Sequence, residues 1–254
     1  MIQTNINSIA FDFSEEDKKL FSDDQKRSWA NIQSFYEKLK AHCLEEIKIP
    51  ISVSHKEWIT ARVNLHTTTS LMRLLYLIEG FCGVAKNFNS VASAVFVKAM
   101  VEVPLHLGYL VWILAEHNNF ESIRDELSKI AFGNRDQGTG LTAGSKISQK
   151  DLYTRSDTMI KKFFKDNPST INIFETLYKE GNATGHHNYE GRNMLCGLQN
   201  NGTWHAKDRK ELFIFYSNNI FQFFMYCDAI LGMSYIFLKA TDHYLNQLPN
   251  NFKK

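Results

Sequence analysis

The fold is decided by one apolar stretch, VASAVFVKAMVEVPLHLGYLVWIL, which occupies residues 91–114. Its apolar residues fill nearly every face of a helix, and it also contains Lys98, Glu102 and His106. A helix that is apolar all round lies at the centre of a protein. The stretch therefore predicts a long core helix at about 90–117.

Helical patterns on both sides of this stretch predict the rest of the fold. Asp208 is placed to cap a second long helix at about 209–246, which is apolar through Phe213–Leu238. Further helices are predicted from about 29 to 46, from a Ser54–Glu57 capping box to about 86, from Asn119 to Gly133, from Ser148 to Lys165 and from Pro168 to Lys179. We therefore predict an all-α helical bundle with long central helices and a small irregular or hairpin segment near 182–207.

The glycine-rich stretch GNRDQGTGLTAGSKI, at residues 133–147, has no apolar periodicity. Such a composition predicts a mobile loop. We predict that 1–254 forms a single all-helical domain, in which this loop joins the subregions 1–132 and 148–254.

Composition and charge exclude several classes of protein. The 29 Lys and Arg residues against 27 Asp and Glu leave a net charge of +2, which argues against a clamp for duplex DNA. Hydrophobic residues make up 44% of the chain, which excludes a disordered protein. Four prolines and 13 glycines are few for this length and favour long helices over a turn-rich β fold.

The sequence also predicts a cytoplasmic location. The first residues, MIQTNINSIAFDFSEEDKK, have neither the basic nor the apolar region of a signal peptide. The four cysteines form no CxxC pair, which is typical of reduced thiols. Val91–Leu114 and Ile220–Leu238 approach the length of a membrane span, but both contain charged residues, so no span is expected.

Two stripes of polar residues lie on the predicted core helices. Lys98, Glu102 and His106 are four residues apart and share one face. The preceding helix has a second stripe, formed by Arg62, His66, Thr69 and Arg73. Because the turn at 87–89 is short, we expect the two helices to be antiparallel neighbours and Arg73 to pair with Glu102.

Two further residues bear on this predicted site. Pro104 is expected to kink the helix and to open a pocket beside the stripe. Asp228 shares a face with aromatic residues and needs either a hydrogen-bond donor or a proton. The predicted pocket residues are Arg73, Lys98, Glu102, His106 and Asp228. The alternative is that these charges form a solvated face or structural ion pairs.

We predict neither a metal site nor a cofactor. Glu102 and His106 are separated by three residues, whereas di-iron bundles use Glu-x-x-His, and no His-Glu-x-x-His occurs. The glycine run at 138–146 does not match the phosphate loop GxxxxGK[ST]. His186 and His187 remain as acid/base candidates in a polar loop, although an ordinary polar loop explains them as well.

Two segments resemble a known group of proteins. VKAMVEVPLHLGYL (97–110) and LYKEGNATGHHN (177–188) resemble segments of a bacterial all-helical family of unknown function, within the broad class of HEPN-like bundles. That class occurs in toxin–antitoxin and phage-defence systems, and its active members cleave RNA with an Arg and a His that have four to six residues between them. Here Arg62 and His66 are separated by three residues, whereas Lys179 precedes His186 by the right interval but is a lysine. The resemblance thus implies His186 as acid/base and Lys179 as phosphate ligand.

Two functions are therefore expected from the sequence. The first is an intracellular module of a bacterial defence or toxin-like system that acts on RNA or nucleotide phosphates through His186, His187 and Lys179. The second is a non-enzymatic module that senses a small-molecule ligand or binds a protein through the polar pocket. In either case the aromatic-rich last helix offers a face for a homodimer.

Overall fold

The structure is a computed structural model that describes residues 13, 15–19, 21–47, 54–85, 87, 89–132, 147–164, 172–177, 196–198, 203–250 and 252. Its helices are α1 (Glu15–Lys19), α2 (Asp23–Lys40), α3 (His55–Ala85), α4 (Ser90–Glu116), α5 (Phe120–Phe132), α6 (Gln149–Phe163) and α7 (Arg209–Gln247). Two short strands, β1 (Cys196–Leu198) and β2 (Trp204–Ala206), pair antiparallel within the predicted hairpin segment. The predicted all-α bundle with long central helices is confirmed.

Three helices, α3, α6 and α7, begin where local capping residues predict. Ser148 accepts a hydrogen bond from the amide of Asp151, and Asp208 forms a complete capping box with Glu211. At the start of α3, the Ser54 amide donates to Glu57 Oε2 at 2.9 Å, and the Glu57 amide donates to Ser54 Oγ at 3.3 Å. Each cap satisfies an amide that has no partner within its own helix.

The end of α2 differs from the prediction, because this helix ends at Lys40 rather than near residue 46. The His42 ring nitrogen Nδ1 lies 2.7 Å from the carbonyl oxygen of Lys38, which a continuing helix would pair with the amide of His42. That amide donates instead to Leu39 O. A local side-chain bond therefore replaces the backbone bond that would have extended the helix.

The four longest helices form a ring in the order α2, α7, α4, α3. Arg73 meets Glu102, and Gly80 lies against Phe96, so α3 and α4 are antiparallel, as predicted. Asn31 meets Asp228, and Lys239 meets His42, so α2 and α7 run in the same direction. The α2–α7 and α3–α4 seams are thus on opposite sides of the ring.

Helices from both sides of residues 133–146 share one hydrophobic core. Ser156 of α6 donates to the Leu105 carbonyl of α4 at 2.9 Å, and both groups are buried. Phe224 of α7 packs against Trp29 of α2 and Phe81 of α3. The predicted mobile loop itself lies outside the described residues apart from Ile147.

Two helical stretches, Ser90–Glu116 and Gln222–Gln247, are long and apolar enough to cross a membrane. In the fold, 67% of the first apolar window and 56% of the second are buried inside the protein. Core helices of water-soluble proteins have the same length and composition. The expectation that neither spans a membrane stays a prediction.

Candidate functional site

Polar residues of α3 and α4 meet along one side of the helix pair. We call this surface the α3–α4 polar strip; its residues are Arg62, His66, Arg73, Lys98, Glu102 and His106. Arg73 Nη2 donates to Glu102 Oε2 at 2.7 Å, which confirms the predicted pair. The side chains of Arg73 and Glu102 are 50% and 31% exposed, so water and dissolved ligands reach this ion pair.

His106 is half-buried beside that ion pair. Burial lowers the pKa of His106 from its ordinary value, and the nearby Arg73 lowers this pKa further, whereas Glu102 acts in the opposite direction. Burial disfavours the charged imidazolium. His106 is therefore neutral at neutral pH.

His66 occupies the equivalent environment on α3. Burial is the largest cause that lowers the pKa of His66, and the charges of Arg62 and His106 lower it further. Since the charge of His106 acts on His66, the two histidines lie near each other across the helix pair. Both imidazoles are thus held neutral beside arginine side chains.

Arg62 lies one turn before His66 on α3. Its guanidinium carbon lies 5.3 Å from the centroid of the Trp58 ring, which holds the side chain by a cation–π contact. Arg62 Nε is buried and has no hydrogen-bond partner among the residues that the structure describes. A buried donor without a partner costs roughly 1–3 kcal/mol, which an oxygen atom of a bound ligand would recover.

Other predicted members of the two stripes have different surroundings. Lys98 is half-buried on the same face of α4 as Glu102. The Thr69 hydroxyl donates to the Leu65 carbonyl at 2.8 Å and so turns back onto its own helix. Pro104 is buried, whereas Glu102 and His106 are half-buried. Since residues two apart point to different sides of a helix, Pro104 lies outside the strip, and the predicted pocket opening there is not supported.

Asp228 lies at a different pair of helices. Asn31 Nδ2 of α2 donates to Asp228 Oδ2 of α7 at 3.1 Å, so the expected donor is present. Burial raises the pKa of the Asp228 carboxyl, and the hydrogen bond from Asn31 acts in the opposite direction. Asp228 is therefore not part of the α3–α4 polar strip, because the α7 face that holds it packs against α2.

The predicted catalytic residues His186, His187 and Lys179 lie outside the described residues. The catalytic roles of these three residues stay predictions. The described part of the site therefore consists of the α3–α4 polar strip alone.

A second polar cluster, between α4 and α6, was missed by sequence reasoning. The Arg155 guanidinium carbon lies 3.6 Å from the centroid of the Trp112 ring, and the His117 ring packs edge-on against the same tryptophan. Tyr109 Oη donates to Glu126, which also bonds Lys129. Because Arg155 and Trp112 are far apart in sequence, no local spacing indicates this contact. The ion pairs and ring contacts of the cluster link α4, α5 and α6.

Among the described residues, no group of three or more His, Cys, Asp or Glu side chains is placed to hold a metal ion. Comparison of the chain with known protein families, with curated proteins and with solved structures finds no match. The chemistry of the strip therefore has to be argued from its own residues.

Proposed function

We propose that this protein is a binding module for a phosphate-bearing ligand, a nucleotide or RNA, which it takes on the α3–α4 polar strip. The single observation that carries this proposal is the buried Arg62 Nε without a hydrogen-bond partner. A guanidinium presents a planar fork of donors that matches phosphate oxygens. The ligand oxygen would complete the set of hydrogen bonds that the protein leaves open at Arg62.

The charge of the strip also supports an anionic ligand. Arg62 and Arg73 supply two positive charges, whereas Glu102 supplies one negative charge. Arg73 uses one of its five donors for Glu102, and its side chain is half exposed. An incoming phosphate therefore meets net positive charge and free donors in a place that solvent reaches.

The two histidines suit binding better than catalysis. A neutral imidazole donates one hydrogen bond and accepts another, so His66 and His106 can bond to a phosphate or a sugar hydroxyl. General acid catalysis instead needs an imidazolium at the working pH. The lowered pKa values of His66 and His106 remove that form at neutral pH.

A purely structural role explains less of the strip. An ion pair between α3 and α4 accounts for Arg73 and Glu102. It gives no partner to Arg62 Nε and no reason for two half-buried histidines beside two arginines. A phosphate ligand accounts for all of these groups together.

The natural source of the phosphate is proposed on the resemblance to HEPN-like bundles. That resemblance supports RNA as the ligand and a bacterial defence system in the cytoplasm as the context. It rests on the segments 97–110 and 177–188. Self-association through α7 is part of the same proposal.

The proposal is tested with the full chain labelled with ¹⁵N in its histidine side chains. We expect added adenosine triphosphate to shift the imidazole signals of His66 and His106 in a saturable way. Arg62→Gln should weaken this binding by about tenfold or more, since a hydrogen bond to a charged group contributes roughly 1.5–3 kcal/mol. Glu102→Gln should tighten binding by up to about fivefold, because it removes the opposing surface charge.

Arg27→Gln is the matched control, since Arg27 is exposed on α2 and paired with Asp24. Single His66→Gln and His106→Gln variants assign the two signals. Equal affinities of Arg62→Gln and Arg27→Gln, with both variants folded by circular dichroism, would contradict the proposal.

A further inference from the structure

A second basic surface lies on the side of the bundle opposite the polar strip. Its residues are Phe35, Lys38 and His42 from the α2 region and Tyr235 and Lys239 from α7, and we call it the α2–α7 basic surface. Phe35 and Lys38 are one turn apart on α2, His42 follows just after the end of α2, and Tyr235 and Lys239 are one turn apart on α7. Because α2 and α7 run in the same direction, the two sets face each other along the seam.

Aromatic rings hold both lysines in place. Lys38 Nζ lies 5.1 Å from the centroid of the Phe35 ring and 5.6 Å from that of Tyr235. Lys239 Nζ lies 5.5 Å from the same Tyr235 centroid. Two ammonium groups thus lie within 6 Å of the centroid of one ring.

The neighbouring His42 adds no compensating charge. Its Nδ1 lies 2.7 Å from the Lys38 carbonyl oxygen, and its Nε2 lies 3.0 Å from Lys239 Nζ. A carbonyl only accepts, so Nδ1 carries the hydrogen and Nε2 accepts a hydrogen bond from the ammonium. The contact with His42 Nε2 therefore fixes the position of the Lys239 ammonium group.

Neither lysine has an acidic partner among the described residues. Within the described part of the chain, no carboxylate forms a salt bridge with Lys38 or Lys239. The C-terminal end of α2 attracts cations, but Lys38 and Lys40 already lie in its last turn. Lys239 comes from another helix and concentrates positive charge beyond what the helix end accounts for.

We propose that the α2–α7 basic surface is a second phosphate-binding site, in which Lys38 and Lys239 contact phosphate groups of a nucleotide or of an RNA strand. Both ammonium groups are exposed and held by rings, so little side-chain freedom is lost on binding. An anion that contacts both ammonium groups is attracted by each of them. This site shares no residue with the polar strip, so an experiment can disprove phosphate binding at one of the two surfaces without disproving it at the other.

The test measures the binding of a short, labelled, single-stranded uridine RNA by fluorescence anisotropy. The protein is the full chain with Arg62→Gln, a substitution that weakens phosphate binding at the polar strip. Adding Lys38→Gln and Lys239→Gln together to this protein should lower its affinity for the RNA by about tenfold. The slope of log K against log salt should become shallower by about 1.4, as the loss of two phosphate contacts to a single strand requires. Lys150→Gln with Lys210→Gln is the control, because it removes the same charge from exposed positions elsewhere.

Unlabelled adenosine triphosphate and phosphatidylserine vesicles identify the source of the phosphate. Displacement of the RNA by the nucleotide assigns the site to nucleotide phosphates, and RNA binding without displacement assigns it to the strand; both results support the proposal. The proposal is overturned if Lys38→Gln with Lys239→Gln and the control Lys150→Gln with Lys210→Gln lower the RNA affinity and its salt dependence by equal amounts. Vesicle binding that depends on Lys38 and Lys239, with RNA binding unchanged, also overturns it and assigns the surface to a membrane.

Discussion

At the scale of single residues, local spacing predicted contacts between neighbouring helices but not burial. The four-residue spacing of Glu102 and His106, together with the short turn before α4, predicted the bond to Arg73 that the structure contains. It did not show that Arg62 Nε is buried without a partner, because that depends on the packing around the guanidinium. Spacing identifies a face, whereas the environment of each atom depends on the whole fold.

The lowered pKa values of His66 and His106 predict how stability depends on pH. In the unfolded chain both histidines titrate near their ordinary value of about 6.5, whereas the folded protein binds these protons only at lower pH. Below that value the unfolded state binds more protons than the folded state, so stability falls as the pH is lowered. We expect the free energy of unfolding in urea to be lower at about pH 5.5 than at about pH 7.5.

The control for this prediction is the double variant His66→Gln with His106→Gln. It should have a weaker dependence of stability on pH over the same range, because neither position can take up a proton. His243→Gln, at an exposed position on α7, should leave the dependence as it is in the parent protein. A double variant with an unchanged pH dependence would show that other groups cause it.

At the scale of helices, the sequence predicted where helices begin better than which helices pack against each other. Ser148 and Asp208 cap α6 and α7 as their local patterns indicate, because a cap involves only neighbouring residues. The sequence indicated that Asp228 shares a face of α7 with aromatic residues, but it did not predict that α2 packs against this face. That pairing joins residues from distant parts of the chain, and the order of helices in the ring decides it.

Close packing of three helices at Gly108 leads to a prediction about stability. A Cβ atom at this position of α4 would lie 2.6 Å from Ser156 Oγ of α6 and 2.8 Å from the Phe237 ring of α7. Gly108→Ala should therefore force the helices apart and destabilise the protein by about 1–3 kcal/mol. Urea denaturation followed by circular dichroism measures the change.

Gly83→Ala on α3 is the matched control. No atom lies within 4 Å of a Cβ built there, and the position is exposed inside a helix. Alanine should stabilise the helix at this position by roughly 0.5–1 kcal/mol. If both variants have the same sign of effect, the argument from close packing at Gly108 is wrong.

At the scale of the whole molecule, the two basic surfaces explain how a chain of net charge +2 can bind phosphate. Acidic residues elsewhere balance the total, whereas the α3–α4 polar strip and the α2–α7 basic surface each have an excess of positive charge. The sequence predicted the first surface because its charges interrupt apolar helices. It gave no sign of the second, since Lys38 and Lys239 are ordinary exposed lysines until α2 and α7 pack together.

The final prediction separates binding from cleavage. The binding proposal predicts that the full chain retains labelled single-stranded RNA without cutting it at about pH 7, because His66 and His106 lack the protonated form that acid catalysis needs there. Gel electrophoresis of the RNA after incubation measures this directly. Cleavage that persists in His66→Gln and His106→Gln but disappears in His186→Ala would contradict the prediction that the chain leaves RNA intact. It would assign catalysis to His186, as the resemblance to HEPN-like bundles implies, and leave the strip with phosphate binding alone.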